Sequence, residues 1–301
     1  MEASTETTGT AQKIAYGAGF ILGNRLISKL FGFFSILILA RYLGVENFGL
    51  FSLVLTFVGF FLFLNDFGVS AIFVRKISAG AKNEAELLGE AASLKFFLSL
   101  FAIAATILGA VIIGYDSNLI FLISLFSITH IFGSLSTIFT GVLQAKLKMF
   151  KVAVIELSLS FMYLLSAIAV LIFSLDIQAL LLLYLWSTIV SFVVAWFYAR
   201  NHTKISLIFR PSNWVGMLKE SWPFALTTLF VALYNRVDII MLSKLSTIAD
   251  IGKYSASFRL TESLSIIPAS LTMVLYPLMS KYFKESREVL INIHKLAFRY
   301  I

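Results

Sequence analysis

Eight apolar runs, at about 14–39, 48–73, 94–114, 119–143, 152–173, 177–198, 222–243 and 251–280, take up most of this chain. Each reaches or exceeds the roughly 20 residues a helix needs to cross the hydrocarbon of a bilayer. A run of that length with few charges reads as a membrane span, so the expected fold is all-α: a polytopic integral membrane protein with eight transmembrane helices. Composition agrees, since 59% of residues are apolar and 13% charged, against roughly 25% charged in an average soluble domain.

The formal charge of +8 raises nucleic acid as a partner, but the basic residues fall between the apolar runs. With a cytoplasmic N-terminus, 17 Lys and Arg residues lie on cytoplasmic segments, Lys95 among them, and only Arg41, Lys244 and Lys253 lie outside. Arg25, Lys29, Arg236 and Arg259 lie within runs. This asymmetry predicts a multi-pass protein of the plasma (inner) membrane, N-terminus inside, whose basic loops meet membrane lipids and bind no nucleic acid. The chain has no cysteine, which excludes disulfides, cysteine zinc sites and a thiol nucleophile. His130, His202 and His294 have no metal-ligand spacing, so no metal is expected. Residues 1–12 are polar, lack the features of a signal peptide and read as a disordered cytoplasmic tail.

The connections at 115–118 and 174–176 are short, so helices 3–4 and 5–6 form tight hairpins. Residues 13–200 make a six-helix lobe. Residues 201–221 read as an amphipathic cytoplasmic linker broken by Pro211, and 222–301 as a partial second lobe holding helices 7 and 8 and the start of a ninth segment. Pro223 is expected at the first turn of helix 7. At an offset of 203 residues, Leu39-Ala40-Arg41 matches Leu242-Ser243-Lys244, and Gly49-Leu50-Phe51-Ser52 matches Gly252-Lys253-Tyr254-Ser255. That is the signature of a parallel repeat, and in transporters the substrate site lies between such repeats.

Charges inside spans mark a pathway, a partner or a site. On helix 1, Arg25, Ser28, Lys29, Gly32 and Ser35 recur at helical spacing and form one basic, small-residue face. Asp66 on helix 2 has a similar depth, which makes Arg25–Asp66 the expected pair; the alternative for Arg25 is to snorkel to the inner interface. Arg236 and Asp238 point to nearly opposite sides of helix 7. Their expected partners are on helix 8, Asp238 with Arg259 and Arg236 with Glu262, either as a site or as structural glue between the two helices. Pro268 and Pro277 kink helix 8. Gly19 and Gly23 form a GxxxG on helix 1 that suggests close packing. His130, among Ser127, Thr129, Ser134 and Ser136, is either a hydrogen-bonded core histidine or a proton carrier.

The stretch Ala40-Arg41-Tyr42-Leu43-Gly44-Val45-Glu46-Asn47-Phe48-Gly49, followed by Asp66-Phe67-Gly68, resembles the polysaccharide biosynthesis or Wzx-type flippase family of the multidrug/oligosaccharidyl-lipid/polysaccharide (MOP) exporter superfamily. Arg236-Val237-Asp238 and Gly252-Lys253-Tyr254-Ser255 are similar in the second half. Arg41, Gly44, Phe48 and Gly49 carry the first motif. The resemblance implies two six-helix lobes around a central cavity and a transporter, not an enzyme, that flips a polyprenyl-linked oligosaccharide from the cytoplasmic to the outer leaflet. It further implies that Arg25, Lys29, Arg236 and Arg259 attract the phosphates and that Asn24 and Asn235 meet the sugars. Asp66, Asp238 and Glu262 then hold the arginines or serve Na+ or H+ coupling, with no other cofactor. A polysaccharide polymerase or glycosyltransferase complex is the implied protein partner. The alternatives are a cation-coupled multidrug extruder or a peptidoglycan lipid-precursor flippase of the same superfamily. Such proteins resemble transporters of twelve to fourteen helices, so this chain, ending at Ile301 as a ninth helix starts, is expected to be a fragment, the alternatives being a truncated gene or an eight-helix form that works by association.

Overall fold

The computed structural model describes the backbone of residues 2–81, 83–203 and 208–264, with side chains from Gly23 onward except Leu260 and residues 262–264. The described elements are helices: α1 (Glu2–Phe60), α2 (Leu62–Asp66), α3 (Val69–Ser78), α4 (Glu84–Ile113), α5 (Ser117–Ser127), α6 (Thr129–Ala145), α7 (Met149–Phe173), α8 (Ile177–Arg200), α9 (Pro211–Leu245) and α10 (Ile248–Leu264). The chain divides into two compact units, Met1–Ser255 and Ala256–Ile301. The first holds every contact discussed below; of the second only the end of α10 is described.

α1 breaks at Gly44, whose φ of 70° and ψ of 174° lie outside helical space. Contacts on either side show that the chain reverses there. Before the break, Asn24, Phe31 and Tyr42 meet Glu156, Phe161 and Leu175 in turn, so the first arm runs parallel to α7. After it, Phe57 meets Tyr115 and Asp66 meets Lys95, so the second arm and α2 run antiparallel to α4. Since α4 and α7 start at one end of the bundle, where Glu84 pairs with Lys146, the two arms point in opposite directions. Six stretches are long and apolar enough to cross a membrane, and the first, Gly23–Asp66, holds two passes because of this reversal. These passes follow the first seven expected spans. The eighth, with Pro268 and Pro277, falls mostly outside the described residues, as does the expected ninth segment.

Two turns follow directly from sequence. Gly114 (φ 76°) and Ser174 (φ 52°) end α4 and α7 in the left-handed conformation. Asp116 and Asp176 then cap α5 and α8 by accepting from the backbone N–H groups of Leu119 (3.2 Å) and Ala179 (2.9 Å).

Two boundaries differ from the sequence reading. α1 already begins at Glu2, where a disordered tail was expected; the stretch contains no proline, and its single interior glycine, Gly9, costs only about 1 kcal/mol of helix propensity. Helix 7 begins at Pro211 rather than near 222, and Pro223 therefore lies inside α9 instead of at its first turn. Pro211 has no amide hydrogen to lose in a first turn, and the apolar residues that follow it are drawn into the bundle. Trp214 packs on Phe97 and Phe209, and Met217 joins the core formed by Phe73, Leu88, Ile138 and Ala195.

The bundle is apolar outside and partly polar inside. Phe101, Ile112 and Trp186 are exposed on its surface, whereas Asn24, Asn65, Lys95, Ser99, His130 and Ser134 are buried. Where lipid surrounds the protein, burying apolar surface gives little drive for association, and small or polar side chains hold helices together.

Candidate functional site

The second pass is interrupted at Asp66-Phe67-Gly68. α2 ends at Asp66, Phe67 (φ 46°) and Gly68 (φ 76°) are both left-handed, and α3 starts at Val69. Only a glycine fits the second of these positions: a Cβ on Gly68 would lie 2.5 Å from the Phe224 Cβ and 2.7 Å from the Ser221 carbonyl oxygen of α9. The break turns the Asp66 carboxylate toward α4 and α6.

Its partner there is Lys95, not Arg25 as expected from sequence. Lys95 is 1% exposed, and its Nζ donates to Asp66 Oδ1 (2.5 Å), Ser70 Oγ (2.9 Å) and Thr137 Oγ1 (2.5 Å). An ammonium has three N–H groups, so each is used. Ser70 donates to Asp66 as well, and Thr137 donates to the Ser134 carbonyl at 2.7 Å. The expected assignment of Lys95 to a cytoplasmic segment fails because α4 begins at Glu84, which puts Lys95 about three turns into the helix. Arg25 and Lys29 are exposed instead. The small residues of the same stripe part from them: Ser35 is buried and Ser28 half-buried. At Gly23, no described neighbour lies where a Cβ would stand, so the GxxxG makes no close contact there.

Asn24 is buried, and its Nδ2 donates to Glu156 Oε2 on α7 at 2.9 Å. Glu156 and Asp66 both line a cavity of about 640 Å³ between α3, α6, α7 and α8. Further toward α5, Asn65 donates to the His130 carbonyl oxygen at 3.2 Å. His130, expected to be either a hydrogen-bonded core histidine or a proton carrier, is 1% exposed, and neither ring nitrogen has a partner among the described residues. The neighbouring hydroxyls are already committed, Ser127 to the Ser124 carbonyl, Thr129 to that of Phe126 and Ser134 to that of Asn65.

In the second half, the Arg236 guanidinium lies on the bare Cα of Gly59 in α1; a Cβ there would come within 2.6 Å of its Cζ. Asp238 accepts from the Tyr254 hydroxyl of α10 and from the N–H of Ile239 at 2.8 Å. Asn235 is exposed and donates to the Val231 carbonyl oxygen at 2.8 Å. Of the expected partners, Arg259 belongs to the second unit, and the Glu262 side chain lies outside the described residues.

Among the motif residues, Arg41 is exposed, Gly44 makes the reversal and Phe48 is buried against Phe51, with ring centroids 6.4 Å apart. Gly49 meets the second half of the chain. A Cβ on Gly49 would lie 2.1 Å from the Ile248 carbonyl oxygen, and a Cβ on Gly252 would lie 2.1 Å from the Val45 carbonyl oxygen. Val45 and Ile248, like Gly49 and Gly252, are 203 residues apart. The contact is thus self-complementary, each partner presenting the same backbone surface, as across a two-fold axis.

Residues 14–283 match the model of a family described as polysaccharide biosynthesis protein. The chain belongs to that family. No curated protein and no solved structure matches it.

In this polysaccharide biosynthesis protein a second charged zone closes the end where α4, α7 and α9 begin. Glu220 of α9 accepts from Arg75 Nη2 (2.9 Å) and Lys76 Nζ (2.7 Å) of α3. Arg210 pairs with Glu86, and Asn213 Nδ2 donates to Glu90 Oε1 at 2.6 Å. On the far side of the same end, Lys151 Nζ lies 2.8 Å from His202 Nε2. Burial, then the charges of Lys151, Lys148 and Lys146, hold the His202 ring below its ordinary value.

Sequence reasoning missed Lys95, Ser70, Thr137, Glu156 and Tyr254. The signal for Glu156 is plain, a carboxylate inside the run 152–173. For Lys95 it is the acidic first turn at Glu84 and Glu86, which marks a helix start well before the apolar run.

Proposed function

We propose that this chain is the transport machinery, not an enzyme, that moves a polyprenyl-(pyro)phosphate-linked oligosaccharide from the cytoplasmic to the outer leaflet for surface polysaccharide assembly. Membership of a polysaccharide biosynthesis family supplies the chemical class of cargo. The observation that carries the reading is the fully bonded Lys95–Asp66 pair at a helix break, opening onto a cavity of about 640 Å³ within an apolar bundle. Ionisable groups at such depth are costly and mark transport pathways, and interrupted membrane helices are where transporters bind their cargo. The end rich in Lys and Arg faces the cytoplasm on this reading. Arg25 and Lys29, exposed on α1, attract the carrier's phosphates. Arg236 serves the same anion from the second half, and Asp66 and Asp238 are the carboxylates through which Na+ or H+ is coupled. A polysaccharide polymerase or a glycosyltransferase complex is the partner that hands over or receives the glycan.

One observation favours a second reading. Glu156 is an exposed carboxylate at the cavity wall, and an extruder of organic cations in the same superfamily would use it. The experiment is to delete the gene from its host, extract polyprenyl-linked sugars and measure their accumulation on the cytoplasmic side. Flipping predicts accumulation reversed by wild type but not by a folded Arg236→Ala variant. No accumulation together with lost drug export would overturn the flippase in favour of the extruder.

A further inference from the structure

We infer that the cavity between α3, α6, α7 and α8 is a pocket for the sugar end of the cargo, separate from the groups that hold its phosphates; the inference rests on the flippase reading above. Two sets of polar groups surround this space. Asp66, Ser70 and Thr137 are committed to Lys95. Thr188 is committed to the Tyr184 carbonyl, but Ser136, Thr140, Gln144 and Ser191 make no side-chain hydrogen bond among the described residues, and Glu156 has only the Asn24 amide. In a helix surrounded by lipid, a serine or threonine ordinarily bonds the carbonyl of the preceding turn, as Ser99 and Thr106 do here. Three hydroxyls, an amide and a carboxylate left with spare capacity around one cavity require either water or a ligand rich in hydroxyls.

The chemistry of the lining chooses among ligands. At about 640 Å³ the space falls within the roughly 300–1,000 Å³ of small-molecule sites and is far larger than a bare ion needs. A hydrophobic organic cation is best held over an aromatic face, and among the described residues no aromatic side chain lines the cavity. A sugar hydroxyl both donates and accepts, which matches Ser136, Thr140, Gln144 and Ser191, while Glu156 accepts from two more. Val74, Ile155 and Leu159 offer apolar wall for the C–H face of a ring. Continuity with the phosphate-attracting face is built into α1: Asn24 bonds Glu156 at the cavity, and Arg25, the next residue, is exposed. A residue turns about 100° around a helix, so one turn of α1 presents an amide to the cavity-wall carboxylate of Glu156 and an exposed cation one position on.

The absence of cysteine from the chain allows a direct test. Thr140→Cys is placed in the full chain in lipid nanodiscs, with Phe101→Cys on the exposed surface as the control, and each is labelled with N-ethylmaleimide. The probes are a polyprenyl diphosphate bearing a disaccharide and the same lipid without sugar, each made photo-cross-linkable so that capture by the protein is read independently. At a glycolipid concentration about ten times its dissociation constant, labelling of Thr140→Cys slows roughly tenfold, because only the unoccupied fraction reacts. The sugar-free lipid is captured without slowing it, and Phe101→Cys is unaffected by either. Capture of the glycolipid with unchanged labelling at Thr140→Cys overturns the sugar pocket alone. Failure to capture either lipid overturns the flippase reading and the pocket with it.

Discussion

Lys95 is 1% exposed, while the Asp66 side chain keeps 33% of its surface open at the cavity, so removing one partner is not equivalent to removing the other. Asp66→Asn leaves an ammonium sealed in the bundle without its counter-charge, and breaking a buried pair in this way costs about 3–5 kcal/mol. Lys95→Met leaves a carboxylate that still reaches the cavity and the Ser70 hydroxyl. Thermal unfolding in detergent should therefore show a larger loss for Asp66→Asn than for Lys95→Met, with the double variant recovering much of it; equal losses would mean the cavity gives Asp66 no solvent. His202 supplies the pH dependence. Burial and three lysines favour its neutral form, so its folded value lies below the ordinary 6.5. The unfolded chain then takes up a proton first, and stability present above about pH 6.5 falls as pH drops toward the folded value. NMR titration of ring-labelled protein, with His202→Gln for assignment, should give a His202 midpoint below 6.5. At this scale the sequence picks out some of the charges within apolar runs, Asp66 and Arg236 among them, but passes over Lys95 and Glu156. It does not show the partners of Asp66 and Arg236, because Lys95 is 29 residues from Asp66 and Gly59 is 177 from Arg236.

Helix boundaries were legible where a residue's own conformational preference sets them. Asp116 and Asp176 are capping residues by type, and Gly44 sits between two apolar runs, where a glycine permits the break. They were not legible where a helix outruns the hydrocarbon. Hydropathy registers the stretch near 222–243 and misses the turns from Pro211 to Ser221, whose polar residues face the ionic network while Met217 enters the core. The break at Gly68 is visible in sequence only as a motif; its left-handed φ and the backbone of α9 against its Cα make it obligatory. Gly68→Ala must adopt a conformation that costs an L-residue roughly 1–2 kcal/mol and must also push α9 away at Ser221 and Phe224. The expected result is a lower unfolding temperature and loss of transport together. A stable, active Gly68→Ala would show that the break is not a fixed part of the site.

Across the whole first unit, the second half is tied to the first at both ends by different physics. At the basic end the ties are ion pairs, Glu220 with Arg75 and Lys76, whose side chains are 40%, 63% and 33% exposed. Pairs of that kind contribute about 0–1 kcal/mol each and are screened by salt. At the other end the tie is backbone against backbone at Gly49 and Gly252, which salt does not screen. The repeat is legible in sequence as matched glycines, but that the two copies touch each other through those glycines is a property of the assembled bundle. It also makes the two ends separable by experiment. Ser52, one turn beyond Gly49, is 1% exposed, and in the cysteine-free chain Ser52→Cys reports whether this end is closed. A methyl at Gly252 cannot be accommodated 2.1 Å from the Val45 carbonyl, so Gly252→Ala must part the helices. Labelling of Ser52→Cys by a charged thiol reagent should rise sharply in the Gly252→Ala background and be indifferent to salt. Glu220→Gln, which loosens only the basic end, should leave it unchanged. If Ser52→Cys stays protected in Gly252→Ala, the glycine contact does not seal that end, and closure must come from the tie between Tyr115 and Ser243, whose hydroxyls lie 2.6 Å apart.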